Sequence, residues 1–141
     1  MNKEFIPYEQ ALELKELGFN EECSAYYFVY QDKLRFSYAA IENDFDSGND
    51  IIDYVANSDS HKEYATAPNY RQIFRWFREK QGLFARVDFN SRYDDLPPYY
   101  DYIIGDMNHY VVLNVINEEF DTYEEAELAC LKKLIEILKN K

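Results

Sequence analysis

The last twenty residues, TYEEAELACLKKLIEILKNK, predict one long helix with a single broad apolar face. Thr122 and Glu125 have the spacing of a capping box, and the lysines of the last turn complement the helix dipole. The apolar face is formed by Ala126, Cys130, Leu131, Leu134, Ile137 and Leu138. Glu127 falls on the same face, but in the first turn, where the face can already be clear of the core. Such a helix has to bury its face against another layer of structure.

The first part of the chain supplies a helix and a hairpin. FIPYEQALELKELGF predicts a helix with Pro7 in its first turn and Gly18 at its C-terminal end. AYYFVYQDKLRFSYA predicts a hairpin that turns at QDK. In its second strand Leu34, Phe36 and Tyr38 alternate with polar residues, so we expect these three to be buried.

The second part of the chain also combines helix and strands. A helix over residues 68–81 is ended by Gly82, FARVDF predicts a strand, and a second hairpin turns at residues 105–108. We therefore expect one α+β domain over residues 1–141, with a mostly antiparallel sheet of about five strands and three helices in the order α-ββ-α-βββ-α. Residues 41–66 are predicted to form a long acidic loop.

Acidic residues dominate the composition, with 27 Asp and Glu against 15 Lys and Arg and a net charge of −12. This balance disfavours direct binding to nucleic acid, because phosphate contacts need Lys and Arg. The sequence shows no signal peptide, no apolar segment long enough to span a membrane and no cysteine framework. We therefore expect a cytoplasmic protein that does not enter membranes and whose charge suits a basic partner.

One segment, YRQIFRWFREK at residues 70–80, is basic. As a helix it places Arg71, Arg75 and Arg78 on one arc and Trp76 outside that arc. In one interpretation, the arginines pair with the chain's own carboxylates, and each exposed pair contributes about 0–1 kcal/mol. In the other, the guanidinium groups and the indole of Trp76 bind a carboxylate or phosphate ligand.

Acids concentrate in segments 41–63 and 88–127, and the second segment carries eleven acids and one Arg. The candidate interaction residues of the first segment are Asp44, Asp46, Asp50 and Asp53. Such surfaces could imitate the charge of nucleic acid toward a basic protein, which predicts binding that weakens steeply as salt rises.

Tyrosines are frequent in the predicted strands. They include Tyr26, Tyr27, Tyr30, Tyr38, Tyr99, Tyr100, Tyr102 and Tyr110. We expect most of them to pack in the core or at its rim, because Tyr suits half-buried sheets. Any that are exposed would indicate a protein interface, where Tyr is enriched.

Motifs for catalysis and metal binding are weak. DFDSGND misses the register of an EF-hand loop, because Gly48 falls at position 5 and not 6. The two histidines, His61 and His109, lie in no zinc motif. Cys130 lies on an apolar helix face and Cys23 follows acidic residues, so neither thiol has the surroundings of a nucleophile. We predict no catalytic residue, no metal site and no cofactor.

Three stretches, PYEQALELKELGF, YRQIFRWFREK and TYEEAELACLKKLIEILKNK, together resemble a family of short uncharacterised proteins found in gut-type bacteria and their phages. They cover about a third of the chain in the same order. The resemblance implies an accessory role in a phage or mobile element, acting by binding a host protein. It brings no activity, cofactor or catalytic residue.

Together these observations predict a small acidic accessory protein that docks on a basic host macromolecule. One alternative is a small anion binder or an enzyme that uses Arg71, Arg75 and Arg78, which requires these arginines to converge in a cleft. The other is a structural or self-assembling subunit, for which a homodimer through an exposed aromatic sheet face would be the sign.

Overall fold

The described part of the chain comprises residues 3–36, 56–57, 63–92, 95–113 and 118–141 of a computed structural model. The chain divides into two compact units, Met1–Asn69 and Tyr70–Lys141. Both combine helix with antiparallel strands, which confirms the α+β class. A single domain over residues 1–141 stays a prediction.

In its described residues, the first unit contains one helix and one sheet. Helix α1 spans Tyr8–Glu16, and the strands are β1 (Ala25–Phe28), β2 (Arg35–Phe36) and β3 (Tyr64–Thr66). The strand order is β2-β1-β3, with antiparallel pairing throughout. Helix α1 packs against β3.

Helix α1 ends as the sequence predicts. Gly18 has a φ of 95°, a left-handed conformation that glycine adopts at little cost. The amide of Phe19 then donates to the carbonyl of Leu14 at 2.9 Å, which closes the helix end and turns Phe19 into the core. The core of this unit also receives Tyr27 from β1, whose hydroxyl donates to the carbonyl of Ile6 at 2.8 Å.

The sheet of the first unit differs from the predicted hairpin. Strand β2 is two residues long and residues 29–34 connect it to β1, so the turn is wider than QDK. Phe36 is exposed and not buried as predicted, while Tyr38 lies outside the described residues. Residues 64–66, predicted as the end of the acidic loop, form the buried strand β3, because they pair in full with β1.

The second unit contains two helices and a second sheet in its described residues. Helix α2 spans Tyr70–Gln81 and helix α3 spans Tyr123–Lys139. The strands are β4 (Leu83–Asn90), β5 (Tyr99–Asp106) and β6 (Val111–Val112). Their order is β4-β5-β6 and their pairing is antiparallel. The described strands therefore form two sheets of three, and the predicted single sheet of about five is wrong in this respect.

The register of β4 and β5 determines which side chains share a face. Val87 lies opposite Tyr102 and Phe89 lies opposite Tyr100, so these four side chains point to one face of the sheet. Helix α3 packs against β4 and β5, and helix α2 packs against β4 and α3. Tyr102 is buried, whereas Phe89, at the far end of β4, is exposed.

The connections of the second unit also refine the prediction. Gly82 ends α2 with a φ of 69°, and a Cβ atom there would lie 2.5 Å from the side-chain nitrogen of Asn108. The second hairpin turns at residues 107–110, because Gly105 still pairs within the sheet. On α3, Ile135 is buried, whereas Ile137 and Leu138 are half-buried.

Candidate functional site

The arginines of α2 lie on the solvent side of the helix. Arg71, Arg75 and Arg78 are exposed, whereas Trp76 is 5% exposed and packs edge-on against Phe77 with ring centroids 5.0 Å apart. The indole therefore belongs to the core, and its face is not available beside the guanidinium groups. A ligand site formed by Arg71, Arg75, Arg78 and Trp76 stays a prediction. The buried indole of Trp76 does not provide an apolar wall for it.

Among the described residues, the arginine stripe makes one long ion pair. Arg78 approaches Glu79 at 3.9 Å, and both side chains are about half exposed. Within the described residues, Arg71 and Arg75 make no ion pair. The interpretation that these arginines pair with the chain's own carboxylates stays a prediction for Arg71 and Arg75, because most of the acidic segment 41–63 lies outside the described residues.

The remaining predicted interaction residues belong to the acidic segment 41–63. Asp44, Asp46, Asp50 and Asp53 lie outside the described residues, as does His61. Their role as an interaction surface stays a prediction.

A different surface is formed where β4 and β5 meet the start of α3. The rings of Phe89 and Tyr100 have centroids 5.7 Å apart at 68°, and those of Tyr100 and Tyr123 lie 6.0 Å apart at 87°. Tyr100 is thus flanked by two rings that are steeply inclined to it. Phe89 is 62% exposed and Tyr123 is 46% exposed, so large apolar area faces solvent here.

Backbone bonds hold these rings in place. Tyr100 and Phe120 exchange two hydrogen bonds of 2.8 and 2.9 Å, which attach the segment before α3 to β5. Two residues later, the hydroxyl of Thr122 accepts from the amide of Glu125 at 3.1 Å and caps the helix, as the capping-box spacing predicts. The first helical residue, Tyr123, is therefore directed toward Tyr100 by a bridge and a cap.

Carboxylates surround the rings. Residues 118–127 carry six acids and no basic residue. The exposed ones are Glu118, Glu119, Asp121, Glu124 and Glu125. Glu119 pairs with Arg92, whose guanidinium carbon lies 4.8 Å from the ring centroid of Tyr99. We call Phe89, Tyr100 and Tyr123 together with the acids of residues 118–127 the acidic–aromatic surface.

Glu127 differs from the other acids because it is half-buried. It follows Tyr123 by one helical turn and precedes the fully buried Cys130 by three residues, so it points to the sheet side of α3. Burial, and then the charge of Glu124, raise the pKa of the Glu127 carboxyl to about 7. Within the described residues, Glu127 makes no ion pair that would offset this burial.

The thiols and the described histidine show no nucleophilic arrangement. Burial raises the pKa of the Cys130 thiol to about 12, and Cys23 is also buried. His109 contacts Asp106 at 2.8 Å in an exposed turn, and this bond lowers the pKa of the Asp106 carboxyl. In the described part of the chain, no three His, Cys, Asp or Glu side chains are grouped to hold a metal ion. None of the described helices is both long and apolar enough to cross a membrane.

The first unit has an open cleft of about 700 Å³ between the start of α1 and the β1–β2 connection. Its lining residues are Tyr8, Glu9, Tyr30, Gln31, Asp32, Lys33 and Arg35. Two basic and two acidic side chains balance in this lining, so the cleft has no preference for an anion. None of the three α2 arginines lines it.

Sequence reasoning located part of the acidic–aromatic surface. The acid-rich segment 88–127 and the position of Glu127 on the apolar helix face were both visible. The exposure of Phe89 and Tyr123 was not, because neither strand alternation nor helical periodicity shows which part of the sheet a helix covers. Among the strand tyrosines, Tyr27 and Tyr102 are buried and Tyr30 and Tyr110 are exposed, so the sequence could not sort them individually.

The chain matches no protein-family model, no curated protein and no solved structure.

Proposed function

We propose that this protein is a small acidic accessory protein that docks on a basic macromolecular partner through the acidic–aromatic surface. One observation carries the proposal: two exposed aromatic side chains, Phe89 and Tyr123, lie beside a segment of six acids without a basic residue. The phage or mobile-element origin implied by the resemblance, a cytoplasmic location and the absence of direct nucleic-acid contact belong to the same proposal.

The two features of this surface make different contributions to binding. Aromatic rings that become desolvated in the centre of an interface supply most of its affinity, and Tyr is among the residues enriched there. Carboxylates at the rim increase the association rate with a positively charged partner and exclude negatively charged ones. A surface with both can bind a basic protein specifically, while a surface with acids alone would attract any cation.

The test is a pull-down from lysate of the source cells at increasing salt with three forms of the full chain. One is the unchanged protein, one carries Asp121→Asn, Glu124→Gln and Glu125→Gln, and the control removes three carboxylates of the first unit by Glu9→Gln, Glu16→Gln and Asp32→Asn. We expect a basic partner that elutes as salt rises, is lost from the first variant and is retained by the control. Equal retention by all three forms would contradict the proposal, and equal loss would show that only net charge matters.

A second candidate function, self-assembly, is favoured by the edge of the second sheet. Among the described strands, β6 lies at this edge, and four consecutive apolar residues at 110–113 are exposed there, with Tyr110 at 93%. An open apolar edge is a template for pairing with another chain. Sedimentation of the chain at increasing concentration, with Val112→Lys as the edge-blocking variant, tests this function. A monomer at every concentration would remove it.

The small-anion alternative receives less support. The three arginines of α2 are all exposed, and the one cleft described in the first unit is lined by other residues. This alternative requires guanidinium groups that converge in a cleft, and it stays a prediction.

A further inference from the structure

We propose that Phe89, Tyr100, Tyr123 and Glu127 form a site for the ammonium group of a single lysine side chain of the basic partner. This inference rests on the proposed function, because it names the group that the acidic–aromatic surface recognises. It identifies the partner by a chemical feature, an exposed lysine in a basic segment.

The rings provide the first half of the site. The face of an aromatic ring carries negative charge density, which attracts a cation placed within about 6 Å of its centre. Phe89 and Tyr123 both lie about 6 Å from Tyr100 and are inclined to it by 68° and 87°. Rings with such different orientations present their faces in more than one direction. They remain accessible, because Phe89 and Tyr123 are exposed and Tyr100 is half-buried.

Glu127 provides the second half. Glu127 follows Tyr123 by one helical turn, so both residues lie on the same side of α3. Burial, and then the charge of Glu127, raise the pKa of the Tyr123 hydroxyl. The carboxyl is partly withdrawn from water and is not offset by a cation among the described residues. Both burial and Glu124 disfavour its negative charge, which raises its pKa. An ammonium group bound against Tyr123 would supply the missing positive charge.

The chemistry of the site favours lysine over other ligands. An anion is excluded by the six acids of residues 118–127. A metal ion would need several oxygen ligands directed to one point, whereas the described acids form no group of three suited to a metal. Lysine carries a compact charge on a long apolar stem, and the stem can lie along the exposed rings while the charge reaches Glu127.

The experiment measures the affinity of the full chain for a fluorescent Lys–Gly repeat peptide by anisotropy, at one pH and one salt concentration. Tyr123→Leu removes the ring and retains apolar volume, and Tyr123→Phe retains the ring and removes the hydroxyl. Tyr30→Leu is the matched control, because Tyr30 is an exposed tyrosine that lies outside the acidic–aromatic surface and outside the edge strand β6. Glu127→Gln is compared with Glu125→Gln, which removes an exposed carboxylate of the same helix.

We expect Tyr123→Leu to weaken binding about tenfold, and Tyr123→Phe and Tyr30→Leu to change it less than about twofold. We expect Glu127→Gln to weaken binding several times more than Glu125→Gln. An acetylated Lys–Gly peptide, which lacks the ammonium group, should not bind. Circular dichroism of each variant checks that the helices are retained.

Two results would overturn the inference. If Tyr123→Leu binds as the unchanged protein does, the rings do not contact the ammonium group. If Glu127→Gln and Glu125→Gln have the same effect, only the overall charge acts. In either case the salt-dependent capture of a partner, and its loss in the Asp121, Glu124 and Glu125 variant, could still hold, so the failure of this inference is distinguishable from the failure of the proposed function.

Discussion

Helices α2 and α3 of the second unit both bring a strip of like charges to the surface, but they combine charge with apolar area in opposite ways. On α2, Arg71, Arg75 and Arg78 are exposed while the neighbouring Trp76 is buried in the core. At the start of α3, the carboxylates lie beside Tyr123, which is exposed and contacts a second accessible ring. The basic strip therefore presents charged groups only. The acidic strip presents charged groups together with exposed aromatic area that a partner can desolvate.

A charge pattern in a sequence therefore does not by itself identify a binding site. The arginines are regular on a helical projection and conspicuous because the chain is acidic, whereas Glu118, Glu119 and Asp121 lie before the start of α3. Exposed charges contribute little affinity in water, whereas aromatic side chains at the centre of an interface contribute much more. The decisive property is whether apolar side chains beside the charges remain uncovered, which depends on packing between distant segments.

The largest effect is expected on the buried side of α2. Phe77 is fully buried and packs against Trp76, so Phe77→Ala leaves a cavity and should destabilise the protein by about 3–5 kcal/mol. Urea unfolding followed by circular dichroism measures this loss. A change below about 1 kcal/mol would mean that α2 is not anchored by its apolar side, and the contrast between the two helices would then lose its basis.

A smaller effect is expected at the cap of α3. The hydroxyl of Thr122 accepts from the amide of Glu125, so Thr122→Ala should cost about 1 kcal/mol. Because the cap also positions Tyr123 against Tyr100, the same variant should weaken binding of the Lys–Gly peptide. Thr122→Ser, which keeps the acceptor, is the control for both measurements. Equal stability of the Ala and Ser variants would show that the cap does not hold this end of the helix.

The pH dependence of stability measures the contribution of the Glu127 carboxyl. Its pKa in the folded state, about 7, is raised above its ordinary value, so the protonated form stabilises the fold fully below about pH 4.5 and this contribution is lost as pH rises to about 7. Tyr102, Tyr123 and Cys130 have raised pKa values and stay neutral over this window, and Glu124 is the acid that acts on Glu127. Relative to the unchanged protein, Glu127→Gln should be equally stable near pH 4 and more stable at pH 8. Because the group is half exposed, the gain is on the order of 1 kcal/mol or less.

Urea midpoints at several pH values from 4 to 8 check this prediction, and Glu125→Gln is the matched control. If Glu125→Gln produces the same gain at pH 8, relief of general acidic repulsion explains the effect and Glu127 has no special position.

Features that depend on residues close together in the sequence could be predicted from it. The ends of α1 and α2 were predictable because Gly18 and Gly82 adopt left-handed conformations that mark helix ends. The cap at Thr122 was predictable because it depends on residues three positions apart.

The sheets were less predictable because strand pairing is not local. Tyr64–Thr66 is three residues long and buried throughout, so no alternation marks it, and it becomes a strand by pairing with β1 across almost forty residues of chain. The division into two sheets has the same origin. The same holds for the candidate site. Its acids could be read from the sequence, whereas the exposure of Phe89 depends on how α3 packs along β4.

The smallest effect is expected on the exposed side of α2. Arg71→Gln and Arg75→Gln remove side chains that make no ion pair among the described residues, and Arg78→Gln removes one exposed contact of 3.9 Å. The triple variant should therefore change stability by about 0.5 kcal/mol or less and leave binding of the Lys–Gly peptide intact. Urea unfolding and anisotropy on the same protein measure both. A loss of stability comparable to that of Phe77→Ala would show that the arginines have structural partners outside the described residues. If the variant instead stays folded but no longer captures the cellular partner, the basic strip would be part of the docking surface, since charge without apolar area would then be sufficient for recognition.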